Sequence, residues 1–259
     1  MRFLRVVAGV LLVAFVAPKA TCEEAASEQS VALKRVQNYQ MVETEVERNY
    51  PLVFSEQSAL NWSNPVFGTT DGAVFIWVRD ERPSAVLKTY QTKNNMWFEQ
   101  VRSFSRHPII ARESKDGKVF WSPPATPEMK TLENAPVPAD NPAARLTQMK
   151  ILHRSFSVTG KMVPGTQPEM RPLPQPIYRY QSDKIIDGAI LAFVQGTAPD
   201  MLLILEAREM DGKRQWFYEL GSIGIFAVDV LRDGKTVWQE ERREAQTTKP
   251  TDIYDGRRL

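Results

Sequence analysis

The chain has 259 residues, enough for one large domain or two small ones. Its 42% apolar and 10% aromatic content supports a packed core and excludes wholesale disorder. A net charge of +2 excludes a nucleic-acid or polybasic membrane binder; one cysteine and two histidines exclude a disulfide framework, a cysteine-built zinc site and a histidine-rich metal centre.

The first element has the layout of a secretory signal. Arg2 and Arg5 form a basic start, Val6 to Ala17 an apolar run of 12 residues, and Ala20-Thr21-Cys22 a small-residue exit before Glu23. A spanning helix needs roughly 20 apolar residues, so no transmembrane segment is expected in the mature chain. A lipid anchor at Cys22 is disfavoured, because Lys19-Ala20-Thr21 departs from the Leu and small residues expected before an acylated cysteine. Losing Arg2, Arg5 and Lys19 with residues 1–22 leaves 30 basic against 31 acidic residues, so the basic excess belongs to the signal. The expected location is the periplasm or the medium, and the mature chain is expected to be cysteine-free.

Next, Ala32, Val36, Tyr39, Val42 and Val46 recur at three- and four-residue steps, predicting a helix before Pro51. β-rich runs follow at 73–78, 85–92, 97–104 and 118–121. Residues 122–142 and 164–176 hold 11 of the 18 prolines, a density that suits extended connections. Between them, Asn141-Pro142 reads as a cap and first-turn proline for a second helix, with Leu146, Met149, Leu152 and Phe156 as its stripe. A second set of β-rich runs occupies 189–194, 201–207, 215–220, 223–231 and 236–239, and a charged tail closes the chain.

The two halves match in order. Asp71-Gly72-Ala73-Val74-Phe75-Ile76-Trp77-Val78 aligns with Asp187-Gly188-Ala189-Ile190-Leu191-Ala192-Phe193-Val194, then Pro83 with Pro199 and Trp97-Phe98 with Trp216-Phe217. Asp116-Gly117-Lys118-Val119-Phe120-Trp121 and Asp233-Gly234-Lys235-Thr236-Val237-Trp238 close the series. Six of the 13 glycines follow an Asp, which predicts hairpin turns. The continuously apolar Ala73–Val78 and Met201–Leu205 predict strands covered on both faces, whereas Lys88, Glu99 and Arg102 predict a wet face.

The expected fold is α+β, with two tandem modules, each a helix followed by an antiparallel β-meander. Cystatin-like, NTF2-like and half-barrel arrangements all fit. The expected division is a signal at 1–22, a first module at 23–122, a Pro-rich linker at 123–142, a second module at 143–239 and a tail at 240–259. The segments Leu60-Asn61-Trp62-Ser63-Asn64-Pro65 through Arg82-Pro83, and Asn141-Pro142-Ala143-Ala144-Arg145-Leu146, resemble a family of secreted bacterial proteins with no assigned function. The resemblance implies export and a self-contained domain, and carries over no catalytic residue.

Motifs for nucleophilic, metal or nucleotide chemistry are missing from the sequence. There is no Gly-x-Ser-x-Gly, His-Glu-x-x-His or phosphate-binding glycine loop, and Gly221-Ser222-Ile223-Gly224 reads as a bend. His107 beside Pro108 and His153 on the second helix read as structural histidines. Three residues are candidate ligand contacts: Trp62, in a polar loop and without a counterpart in the second half; Glu206, directly after an apolar strand and near Arg208; and Asp229, which interrupts another apolar run. No catalytic residue, metal site or cofactor is expected. The leading expectation is an exported, non-catalytic protein that binds an unknown protein or small ligand in the groove between its modules. The alternatives are a carrier of an apolar ligand in a sheet-and-helix cavity, and a carboxylate-dependent hydrolase of an extracellular polymer.

Overall fold

The computed structural model describes residues 31–161, 168–241 and 249–258; the signal segment 1–22, with Cys22, lies outside them. In the first half come α1 (31–36), β1 (Tyr39–Glu45), β2 (Arg48–Pro51), β3 (Val53–Phe54), β4 (Leu60–Asn64), β5 (Thr69–Arg79), β6 (Arg82–Thr92), β7 (Trp97–Ser103), β8 (Ile109–Glu113), β9 (Val119–Trp121) and β10 (Lys130–Thr131). The second half has α2 (Pro142–Arg154), β11 (Phe156–Lys161), β12 (Glu169–Pro172), β13 (Tyr178–Ser182), β14 (Ile185–Gln195), β15 (Ala198–Met210), β16 (Lys213–Ser222), β17 (Ala227–Arg232) and β18 (Lys235–Glu240), and β19 (Tyr254–Arg258) ends it.

The expectation of an α+β fold with a helix before each sheet is wrong: strand accounts for 57% of the described residues and helix for 10%, with a sheet curled into a half-barrel. Most of the error lies in the first predicted helix. Ala32 and Val36 do lie on a buried helical face, but α1 stops there, with Asn38 Nδ2 donating to the Lys34 carbonyl at 2.8 Å. Tyr39–Glu45 is a strand, with Met41 and Glu43 buried on alternate positions. Its Tyr, Val and Thr residues favour the extended chain, and in it Tyr39 and Val42, three residues apart, fall on opposite faces. The second helix starts as expected, with Asn141 Oδ1 accepting from the Ala144 amide at 2.8 Å and Pro142 opening the first turn, but it ends at Arg154, and Phe156, expected on its stripe, is the first residue of β11.

One pairing order occurs twice. The order β2-β1-β8-β9 recurs as β12-β11-β17-β18, and β5-β6-β7 recurs as β14-β15-β16. In the first half these are separate sheets; in the second, β12 bridges β14 and β11 into one nine-stranded sheet. The charged C-terminal stretch returns as β19 to pair with β7, where Arg257 Nη2 meets Glu99 Oε2 at 2.6 Å. In the second half the corresponding edge, that of β16, is capped by β10.

The central sheets are covered on both faces, which explains their continuous apolar runs. Phe75, Trp77, Ala85 and Leu87 pack inward under α1 and β1; Leu191, Phe193, Leu203 and Leu205 do so under α2 and β11. Their alternate neighbours Val74, Ile76 and Val86 meet Ile190, Ala192, Leu202 and Ile204 in a third core between the two sheets. Lys88, Glu99 and Arg102 are therefore not on a wet face; all three are buried.

Five of the six Asp-Gly pairs divide into two kinds. Gly117, Gly212 and Gly234 have positive φ and make turns as expected. Gly72 and Gly188 instead lie inside β5 and β14, where the missing side chain lets an aromatic ring lie flat. Trp62 crosses Gly72 and Tyr180 crosses Gly188 at matching registers, so Trp62 does have a counterpart. A Cβ at Gly72 would sit 2.3 Å from Trp62 Cε2, and one at Gly188 2.5 Å from the Tyr180 ring. Gly72→Ala should destabilise by about 1–3 kcal/mol in urea unfolding, and the penalty should vanish when Trp62 is also replaced by Leu. An unchanged midpoint for the single variant would contradict the contact.

Candidate functional site

The third core places β6 of the first half against β15 of the second. At one end of this contact Lys88 Nζ donates to Asp200 Oδ1 at 2.6 Å, both side chains buried. At the other, Arg82 Nε donates to Glu206 Oε1 at 2.9 Å. Two further pairs flank them: Arg106 Nη2 to Glu219 Oε2 at 2.7 Å, and Arg102 Nη1 to Glu240 Oε2 at 3.2 Å. In all four the cation comes from the first half and the carboxylate from the second. The two sheets are thus electrostatically complementary as well as apolar.

Glu206 is the most committed of these carboxylates. It is wholly buried, accepts from the Tyr180 hydroxyl at 2.7 Å through Oε1, and accepts from Arg208 Nε at 2.6 Å through Oε2. Burial first, and then the neighbouring Glu206 charge, hold the Tyr180 phenol well above its usual pKa. Burial alone would lower the Arg82 guanidinium, but Glu206, Tyr180 and Glu219 outweigh it and leave its pKa raised. The carboxylate is accounted for by two guanidiniums and a phenol, an arrangement that holds charge in place.

Trp62 lies on β4 rather than in a loop and is 9% exposed. Its ring lies 5.7 Å from Tyr90, and Lys88 Nζ sits 5.1 Å from its centroid. Asp229 lies apart on β17, bound to Lys161 at 2.6 Å and to Gln239 at 3.0 Å; the Lys161 hydrogen bond lowers its pKa. The structure therefore brings Trp62 and Glu206 to opposite ends of one junction and leaves Asp229 outside it.

Three hollows open along this junction. A 340 Å³ pocket at the Glu206 end is lined by Arg79, Arg82, Arg106, Lys184 and Arg208, together with Glu43 and Glu128. A 130 Å³ pocket at the Lys88 end is lined by Trp62, Tyr90, Gln195, Asp200 and Phe226. The offset of 116 residues that places Asp71 on Asp187 also places Arg79 on Gln195, Arg82 on Ala198 and Thr69 on Ile185. The two end pockets are thus the same place in the two halves, furnished once with arginines and once with aromatic rings. The third, of 350 Å³, runs along the side between Arg102, Leu220, Val237, Trp238 and Ile253.

Neither histidine is paired with a nucleophile. His107 Nε2 faces Glu45 at 3.3 Å, while the Ser105 hydroxyl bonds the backbone of His107 rather than its ring. His153 packs edge-on against Phe193, and burial pulls its pKa down to about 4. Among the described residues no group of three or more His, Cys, Asp or Glu could hold a metal ion, and no helix is long and apolar enough to cross a membrane.

No known protein family, curated protein or solved structure matches the chain. Arg82, Arg106 and Lys88, which build that junction, were missed as site residues in the sequence; the available signal was a cation inside otherwise apolar strand runs. Lys88→Met should cost about 3–5 kcal/mol, because it strands a buried Asp200, whereas Lys88→Met with Asp200→Leu should be close to neutral. Equal losses in the single and double variants, measured by denaturant unfolding, would contradict a paired buried charge.

Proposed function

We propose that this is an exported, non-catalytic binding protein whose ligand docks at the junction between its two halves. The observation that carries this reading is that side chains of both halves line hollows of 340 and 350 Å³ there. Those volumes fall within the span of small-molecule sites, about 300–1,000 Å³. Their polar walls are already fixed by ion pairs, so a ligand meets groups that need little reordering. Export rests on the signal pattern of residues 1–22.

The test starts from protein recovered from the exported fraction of expressing bacteria, expected to begin at Glu23. Ligand-observed NMR against a mixture of small acids, amines, sugars and apolar molecules should give at least one binder and no turnover. That binding should be lost in Ser182→Trp, which fills the arginine pocket, or in Val237→Trp, which fills the side pocket. Uncut protein in the cytoplasm would contradict export. Chemical conversion of a binder, no binder at all, or binding that survives both substitutions would contradict the junction reading.

A further inference from the structure

The side pocket combines a mostly apolar wall with one buried guanidinium. Its wall is mostly apolar: Pro127, Tyr218, Leu220, Val237, Trp238 and Ile253. Arg102 lies against that wall and is 8% exposed. Its Nη1 reaches the Ser222 carbonyl and Glu240, both at 3.2 Å, while its buried Nε has no hydrogen-bond partner. Burial outweighs the nearby Glu219 and Tyr254 and draws the guanidinium pKa down to about 10. Glu219, which also lines the pocket, is held in a two-pronged contact by Arg106. At the rim, Glu128 and Lys130 are exposed and offset each other in charge.

The repeated motif supplies an internal comparison. In the first half Trp121 ends the Asp-Gly-Lys motif, is fully buried, and donates its indole N–H to the Asp252 carbonyl at 2.9 Å. The C-terminal stretch thus closes over it. Trp238 ends the same motif in the second half, is half-buried, and makes no hydrogen bond among the described residues. Its ring lies 5.9 Å from the Arg102 guanidinium and forms part of the pocket wall.

In the other hollows the cations sit in closer ion pairs, although Arg82 Nη2, Arg106 Nε and Trp62 Nε1 also lack a hydrogen-bond partner. In the arginine pocket Arg79 meets Glu43 and Glu45, Arg82 meets Glu206, and Arg106 meets Glu219. In the aromatic pocket Lys88 itself occupies the ring faces. The 880 Å³ hollow beneath residues 131–140 lies away from the junction, against the start of β16.

We infer that the side pocket takes an amphipathic carboxylate, its head on Arg102 and its apolar body along Leu220, Val237, Trp238 and Ile253. This rests on the reading of a ligand-binding junction and names the ligand class for one of its hollows. A carboxylate offers the guanidinium a second countercharge beside Glu240, and a chain or ring covers the half-open indole.

Decanoate, below its micelle-forming concentration, is the probe, with decanol as its uncharged match. Titration of the mature protein followed by amide chemical shifts should show saturable decanoate binding, with the largest changes at Leu220, Val237, Trp238 and Ile253. Decanol should bind roughly tenfold more weakly or worse, and Arg102→Gln should erase that difference. Val237→Trp, which leaves every ion pair in place, should abolish binding. Because Arg102 helps join the two halves, the Val237 variant and the decanol comparison decide the matter if Arg102→Gln does not fold. Equal affinity for decanoate and decanol, shifts centred on the arginine pocket, or no decanoate binding would overturn the inference. If other ligands still bind the junction in those cases, the broader reading stands; if nothing binds there, both fail.

Discussion

The structure depends on one contact, the face where two antiparallel sheets share an apolar layer and exchange charge in a single direction. A lysine or arginine on a sheet's inner face would cost several kcal/mol if left alone, and so would a lone aspartate or glutamate. Each half of this protein is therefore a poor object by itself: the first exposes Arg82, Lys88, Arg102 and Arg106, the second Asp200, Glu206, Glu219 and Glu240. Only together are all of them paired, although Glu206 also meets Arg208 within its own half. The same logic makes the junction specific, since a sheet docked in another register would set unpaired charges against Val86, Leu202 or Ile204.

The two copies of the pairing order also show how one framework comes to carry different surfaces. At equivalent places, Trp62 crosses Gly72 toward Tyr90 in one half, and Tyr180 crosses Gly188 toward Glu206 in the other. The glycine and the ring on it are framework; the residue beyond them is free to be phenol or carboxylate. Trp121 and Trp238 differ in the same manner, one sealed by the returning C-terminal stretch and the other left at the wall of a pocket. The proposed binding role grows from these departures between copies, because what the copies share is accounted for by packing.

Much of this was legible in the sequence, and what was not has physical reasons. Strand runs show as β-rich stretches, and Ala73–Val78 and Met201–Leu205 announce their doubly covered position by lacking polar residues. The extent of helix did not show, because the helical spacing of Ala32, Val36, Tyr39 and Val42 runs on past the end of α1, while the strand that follows buries Met41 and Glu43 instead. Asp-Gly signals a turn only where φ is positive; at Gly72 and Gly188 the same dipeptide serves a ring that comes from another strand, and no local rule sees that partner. Lys88 and Arg102 looked solvent-facing because their countercharges lie more than 100 residues away in the chain. Trp62 was singled out for lacking a counterpart, yet Tyr180 is that counterpart, hidden by the change of side chain. For Glu206 the sequence allows either a solvent-facing edge or a hold by Arg208, two residues on, and the structure has the second.

The central claim is that the charge-complementary junction joins the two halves into one cooperative unit. Differential scanning calorimetry of the mature chain tests it most directly. The account predicts one transition, with the calorimetric enthalpy equal to the van't Hoff enthalpy. Two resolved transitions, one for each half, would contradict it.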